Sequence, residues 1–367
     1  MSERKAAGRR RVTQQDVARA ANVSIAVVST VVNGKSDTLR VSEQTRARVM
    51  QAIHDLQYVP NVAAQSLAGG RNRIIGAFTY QRMFPWESGD FYYDFLLGIE
   101  EEAEKTGHHL LLFTGARNEA GERSIFNRNT NVLEVADGSI LVGGRIDGEE
   151  IRRLAEEGYP FVMIGRRNAA GGNVSWVAAD YAAATQDVVD RLHELGHRAI
   201  LMIVGSRTHE TIVERREGYA SACARHGLEP RMVAFAAPNP DVPEATPCLA
   251  DEREVLRFAA EQGVTAVIAE SSYVAHRLYE TAQEQGVAVP GALSVVGLGD
   301  HGDRQNVLAP DPAVTVVRTP SRLIGATAVR MLLRRLESPA RDGGTEHLRL
   351  TCDLTDGTTL GPAPGFR

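Results

Sequence analysis

Cysteine is scarce in this chain. Its three cysteines, Cys223, Cys248 and Cys352, share no close spacing. They are too few for a disulfide framework and too scattered for a cysteine-rich zinc site, which points to a reducing, cytoplasmic compartment. No run of about 18 apolar residues occurs, so no segment reads as a membrane-spanning helix. The basic start (Arg4, Lys5, Arg9, Arg10, Arg11) has no apolar stretch behind it and does not read as a secretory signal. Internal repeats and heptads are also lacking. What is present is ordinary for a soluble globular chain: 43% hydrophobic and 24% charged residues in a length of 367, enough for two or three domains.

The overall charge of -5 conceals an asymmetry. Residues 1–73 hold 12 Lys+Arg against 5 Asp+Glu, a net of +7, and the rest holds 29 against 41, a net of -12. A small basic head on a large acidic body suggests that the head meets a polyanion and the body does not. Charge alone leaves open a merely solvated basic tail.

The head carries helical patterning. Thr13 stands three residues before Asp16, a capping arrangement, and Val17, Ala18 and Ala21 line one face of the helix that follows. Asn22 falls where a tight turn is needed, and asparagine tolerates left-handed backbone. Ser24 caps a second helix with Val27, Val28, Val31 and Val32, which Asn33-Gly34 ends. A third begins at Ser42 with Val49, Met50, Ile53 and Leu56 at helical spacing. Two short helices on a three-residue turn plus a third describe a helix-turn-helix domain. Pro60-Asn61 breaks the pattern, and 62–68 is long enough for one or two further turns before Gly69-Gly70.

From Ile74 the pattern changes to strands alternating with helices. Strand candidates are 74–79, 109–114, 138–142, 161–165, 175–179, 199–204, 266–269, 293–297 and 314–317. Helical stretches fall at 91–106, 182–195, 214–226, 273–285 and 321–337. Such alternation predicts doubly wound parallel sheets, and nine strands suggest two sheets in two subdomains with a cleft between them.

Two motifs point toward enzymes and fail on context. His193-Glu194-Leu195-Gly196-His197 spells H-E-x-x-H, but Gly196 ends the helix, so the imidazoles cannot converge on a metal. Gly297-Leu298-Gly299-Asp300-His301-Gly302 spells G-x-G-x-x-G, but late in the chain, with Pro310 and Pro312 following and Arg322 where a ribose-binding acid belongs. It reads better as a loop lining the cleft. No cofactor or metal is expected, and no nucleophile–base arrangement is spaced suggestively.

The run Arg11-Val12-Thr13-Gln14-Gln15-Asp16-Val17-Ala18-Arg19-Ala20-Ala21-Asn22-Val23-Ser24 resembles the opening of the LacI/GalR family of bacterial transcription regulators. Val28-Ser29, Val31-Val32-Asn33-Gly34, Val41-Ser42-Glu43-Gln44-Thr45-Arg46 and Tyr58-Val59-Pro60-Asn61 extend the resemblance. So do Phe91-Tyr92 before Leu97-Gly98-Ile99-Glu100, Glu194-Leu195-Gly196-His197, Arg215 before Gly218-Tyr219, and Ser294-Val295-Val296-Gly297. It covers nearly the whole chain from Arg11 to about Leu336 and implies an all-α helix-turn-helix head on an α/β periplasmic-binding-protein-like core of two doubly wound parallel-sheet subdomains. It also implies a repressor that binds a near-palindromic operator as a homodimer under a small-molecule effector such as a sugar or sugar derivative. Expected boundaries are 1–60 for the head, 61–73 for a hinge helix and linker, and 74–367 for the core, with subdomain one at about 74–177 and 308–336 and subdomain two at about 178–307 and 337–367.

By this resemblance the DNA contacts fall on Thr13, Ser24, Ile25, Ala26, Ser29, Thr30 and Asn33 of the head and on Asn61, Ala64, Gln65 and Leu67 of the hinge. Ile25 and Ala26 stand where the family reads base edges and offer only apolar contact. Thr30 stands where the family often has an arginine, which reads guanine bidentately as threonine cannot. Leu67 is the expected minor-groove wedge. For the effector, Arg215 falls on the family's ligand arginine, with Arg166, Ser271, Gly299 and Asp300 around it and Phe91, Tyr92 and Trp176 to stack on an apolar ligand face. Gly299 replaces a common aspartate and Ser271-Ser272 the usual Asn-Asp, so the cleft is expected to be short of carboxylate acceptors. The alternatives from other classes are an enzyme built on the doubly wound core and a solute-binding protein. The absence of a secretory signal and the patterned basic head argue against the solute-binding protein.

Overall fold

The computed structural model describes residues 12–32, 41–59, 72–80, 92–114, 117–118, 121–143, 147–166, 174–205, 210–240, 242–243, 245–299, 314–337 and 344–366. The chain divides into two compact units, Met1–Arg73 and Ile74–Arg367.

In the first unit α1 (Gln14–Ala21), α2 (Ile25–Val32) and α3 (Glu43–Asp55) surround a core of Val17, Ala18, Ala21, Val28, Val31, Val49, Ala52 and Tyr58. Thr13 and Asp16 form a reciprocal capping box: the Asp16 N–H donates to Thr13 Oγ1 (3.3 Å) and the Thr13 N–H to Asp16 Oδ2 (3.0 Å). Asn22 ends α1 in the left-handed conformation, φ 51°. Ser42 caps α3 by accepting from the Thr45 N–H at 3.2 Å.

The second unit contains two parallel sheets. The first comprises β1 (Ile74–Phe78), β2 (His109–Phe113), β5 (Gly138–Val142), β6 (Phe161–Ile164), β7 (Trp176–Ala179) and β14 (His347–Leu350), in the order β14-β7-β6-β5-β1-β2. The second comprises β8 (Ile200–Val204), β9 (Arg231–Phe235), β10 (Cys248–Leu249), β11 (Ala266–Ala269), β12 (Ser294–Leu298), β13 (Thr315–Arg318) and β15 (Asp353–Leu354), in the order β10-β9-β8-β11-β12-β13-β15. Among the described strands of these two sheets only β15 runs antiparallel, against β13. A small hairpin joins β3 (Phe126–Asn127) to β4 (Thr130–Asn131). The helices are α4 (Tyr93–Lys105), α5 (Gly148–Glu156), α6 (Tyr181–Glu194), α7 (Glu210–Arg225), α8 (Glu252–Glu261), α9 (Ser272–Glu284) and α10 (Ser321–Glu337).

Each sheet is covered on both faces, and its central strands read as largely apolar runs for that reason. Ile75, Ile140, Val162 and Val177 of the first sheet meet α4 and α10, while Phe78, Leu141, Met163 and Trp176 meet α5. In the second, Leu201, Val267 and Val295 meet α8 and α9, while Met202, Ile268 and Val296 meet α6 and α7.

The chain passes between the two sheets three times: at Asp180, at Thr319-Pro320 and between β14 and β15. This corrects the expected subdomain limits. The strand at 314–317, assigned to subdomain one, pairs with β12 in the second sheet. Residues 347–350, assigned to subdomain two, form the edge of the first by pairing with β7. Cys352, at the third passage, packs against both cores. Helices α5 and α8 and strands β9, β10, β14 and β15 were not among the expected elements.

Among the described residues no helix is long and apolar enough to cross a membrane, and no cluster of His, Cys, Asp and Glu is arranged to hold a metal ion. The H-E-x-x-H residues separate as expected. Gly196 (φ 87°) ends α6, and His197 is buried, with Nδ1 2.9 Å from Thr265 Oγ1 and Nε2 2.9 Å from the Gly361 carbonyl oxygen.

Candidate functional site

The head presents an exposed edge at the start of α2. Helix α2 turns Val28 and Val31 into the core and leaves Ser24, Ile25 and Ala26 exposed, Ile25 with 47% of its surface. Ser29 and Thr30 are half-buried. The Thr30 hydroxyl donates to the Ala26 carbonyl (2.9 Å), so its proton is spent within the helix. Thr13 is exposed, with its hydroxyl hydrogen-bonded to Asp16 (2.8 Å). Asn33, Asn61, Ala64, Gln65 and Leu67 lie outside the described residues, as do Phe91 and Asp300 of the expected effector site.

In the core, strand order marks the site. Ligands of open parallel sheets bind beyond the carboxyl ends of the strands, where the direction of winding reverses. The first sheet reverses between β1 and β5, the second between β8 and β11. At the first reversal stand Thr79, Gly143 and Tyr92. A Cβ on Gly143 (φ 129°) would lie 2.9 Å from Thr79 Oγ1 and 3.1 Å from the Tyr92 hydroxyl, so only glycine leaves room for both. Tyr92 itself is buried in the first core with its hydroxyl at the strand ends, a contact by its tip rather than the expected ring face.

At the second reversal stand Gly205, Glu270 and Arg216. Glu270 directly follows β11 and is buried. Its carboxylate accepts from Arg216 Nε (2.6 Å), Arg216 Nη2 (3.3 Å) and the Gly205 N–H (2.8 Å). Burial raises the Glu270 carboxyl above the ordinary carboxylate range, and the Arg216 guanidinium and Gly205 N–H act the other way. Arg215, the neighbour on α7, is also buried. Its Nη1 donates to the Glu270 carbonyl (3.4 Å), and its guanidinium lies over the Tyr181 ring, 4.6 Å from the centroid, a cation–π contact. Gly299 (φ 91°) ends β12 against this group: a Cβ there would sit 2.6 Å from Arg215 Nη2. Arg215 is therefore no surface arginine of an Arg-rich helix. Ser271 is half-buried and leads into α9 without capping it by a side-chain bond.

Glu214, buried on α7, ties the second subdomain to the first. Its Oε1 accepts from Arg166 Nη1 (2.9 Å), just beyond β6, and from Arg349 Nη2 (3.2 Å) of β14. Arg349 also pairs with Asp180 (3.3 Å) at the first passage between sheets.

Two expectations are corrected here. Trp176 is not a free stacking face. It begins β7, packs in the first subdomain's core and stacks on the His347 ring at 4.8 Å, with the Arg349 guanidinium 5.9 Å from its centroid. The site is also not short of carboxylates. Asp180, Glu214 and Glu270 are all there, each already paired with arginine. Residue spacing could not reveal them, because their partners lie 48 to 169 positions away. A buried glutamate next to an apolar strand such as Ala266–Ala269 was the available signal.

Comparison with known proteins agrees with this arrangement. A family model described as bacterial regulatory proteins of the lacI family matches residues 13–61, and a periplasmic binding protein-like domain matches 189–359. The HTH-type transcriptional regulator CelR of Thermobifida fusca is 30% identical over 348 residues, spanning 94% of this chain and 96% of that one. Catabolite control protein A of Priestia megaterium is 29% identical over 343 residues, 92% and 96% respectively. Among solved structures, a CelR–cellobiose complex aligns with a TM-score of 0.58 at 26% identity over 95% of this chain and 100% of the other. A lac repressor dimer bound to operator and an anti-inducer shares the fold, with a TM-score of 0.67 at 22% identity over 95% and 99%. With a capped helix-turn-helix head, a doubly wound two-sheet core and this extent of similarity to CelR, the chain belongs to the LacI family of bacterial transcription regulators, which act by binding DNA under the control of an effector.

Proposed function

We propose that this protein is a cytoplasmic, non-enzymatic repressor that binds a near-palindromic operator as a homodimer and is switched by a small molecule held at the strand ends of its core. The observation that carries the DNA reading is the exposed Ser24-Ile25-Ala26 edge of α2 in a unit of net charge +7. The basic surface supplies phosphate contacts and the edge supplies apolar contact to base edges such as thymine methyls. CelR, solved with cellobiose, and a LacI-family regulator solved with ribose support a sugar or sugar derivative as effector. The effector works by linkage: it favours one arrangement of the two subdomains, and the hinge segment at 61–73 passes that difference to the head.

The test is titration of the full chain with a DNA fragment from beside its own gene and with random DNA at several salt concentrations. Specific binding that exceeds random binding by about a thousandfold, weakens with salt and drops on Ile25→Glu agrees with the proposal. Equal affinity for both fragments overturns it.

A further inference from the structure

We propose that the head selects its operator by the C5 methyl group of a pyrimidine, borne by thymine or by 5-methylcytosine, through Ile25 and Ala26 of α2. The inference rests on the DNA-binding reading above and deepens it. Three observations carry it.

The first is a composition. From Val23 to Val32 the chain holds no Arg, Lys, Asn, Gln, Asp or Glu. In a helix-turn-helix the start of the second helix meets base edges in the major groove. The side chains that separate bases there by strong hydrogen bonds are Arg or Lys for guanine, Asn or Gln for adenine, and Asp or Glu for cytosine. Helix α2 has none of them.

The second is what α2 exposes instead. Val28 and Val31 fill the core of the head. Ile25 keeps 47% of its surface exposed, and Ala26 beside it is exposed too. In the major groove the partner for such aliphatic groups is the C5 methyl.

The third is the state of the hydroxyls. Thr30 spends its proton on the Ala26 carbonyl (2.9 Å), and Ser24 Oγ accepts from the Val27 N–H (3.4 Å). A hydroxyl bonds donors and acceptors alike, so it separates bases weakly. The C4 substituent, keto in thymine and amino in 5-methylcytosine, therefore has no dedicated reader on α2, whereas both bases carry the methyl. A cytosine at such a position gains the contact when it is methylated at C5, so cytosine methylation strengthens binding there.

The full-length protein first selects its operator from a randomised duplex library. Each thymine of the half-site is then replaced in both halves by deoxyuridine, which removes the methyl and keeps every hydrogen-bonding group. One methyl buried against Ile25 is worth about fourfold in affinity, so at one position or more the doubly substituted operator binds about fifteenfold more weakly. At that position cytosine paired with guanine binds as weakly as deoxyuridine, and 5-methylcytosine recovers the loss. In Ile25→Ala the difference between thymine and deoxyuridine shrinks. The wild-type base series stands by itself if that variant does not fold. An operator that tolerates deoxyuridine at every thymine overturns the proposal and leaves the DNA-binding role intact, because a site was selected. A methyl-sensitive position where 5-methylcytosine binds no better than cytosine overturns it as well, and so does an undiminished methyl effect in Ile25→Ala. A library from which no site emerges overturns this proposal together with the operator reading.

Discussion

Arg166 and Glu214 join the two subdomains: the guanidinium beyond β6 donates to the buried carboxylate on α7 at 2.9 Å. Arg349 meets the same oxygen at 3.2 Å from β14, so one glutamate of the second subdomain holds two arginines of the first.

Glu214→Gln therefore loosens that tie. Breaking a fully buried pair costs about 3–5 kcal/mol, but both arginines are about a third exposed, which screens them. The expected loss is about 1–2 kcal/mol, read as a lower midpoint of thermal unfolding. An unchanged midpoint means that the pair forms without holding the subdomains.

At Gly299 the backbone disfavours a side chain, and the Arg215 guanidinium occupies its space. With φ at 91° and Arg215 Nη2 2.6 Å from a Cβ position, Gly299→Ala must displace the guanidinium. It should mimic Arg215→Ala, which removes a charged hydrogen bond worth about 1.5–3 kcal/mol and weakens the effector roughly ten- to a hundredfold. Operator affinity without effector should stay the same in both variants. Normal effector binding by Gly299→Ala would place the ligand away from Arg215.

For the reading helix, Ile25→Ala should weaken operator binding by about 1 kcal/mol, the scale of a small buried apolar contact, and leave random DNA almost unaffected. Thr30→Arg should shift the preferred site toward guanine at one position in each half-site. Selection from a randomised operator library measures both effects. A pool unchanged by Thr30→Arg would remove that position from base reading.

His197 gives the pH dependence a sign. Burial holds its imidazole below the ordinary 6.5, and Gly361 only partly offsets this. The folded state thus prefers neutral His197, and this stability is fully present above pH 6.5 and is lost as pH falls through the lowered folded value. The thermal midpoint should decline below that pH, and less steeply in His197→Gln. Parallel declines in both proteins would assign the acid sensitivity to other groups.

Local chemistry determined much of this protein. The Thr13–Asp16 box, the left-handed Asn22 and the spacing of Val28 and Val31 specify a helix-turn-helix without help from distant residues, because caps and helical periodicity act within a turn or two of chain. Alternating strands and helices likewise specified two doubly wound sheets. Tertiary structure decided which sheet received Thr315–Arg318 and His347–Leu350, since an apolar strand carries no address of its own and joins whichever neighbour offers a free edge. It also decided the chemistry of the site. Glu214, Arg216 and Glu270 are ordinary polar residues in the sequence, and only folding brings them out of water and against one another. The charges of the candidate site therefore come from long-range packing, while the helix-turn-helix comes from short-range pattern.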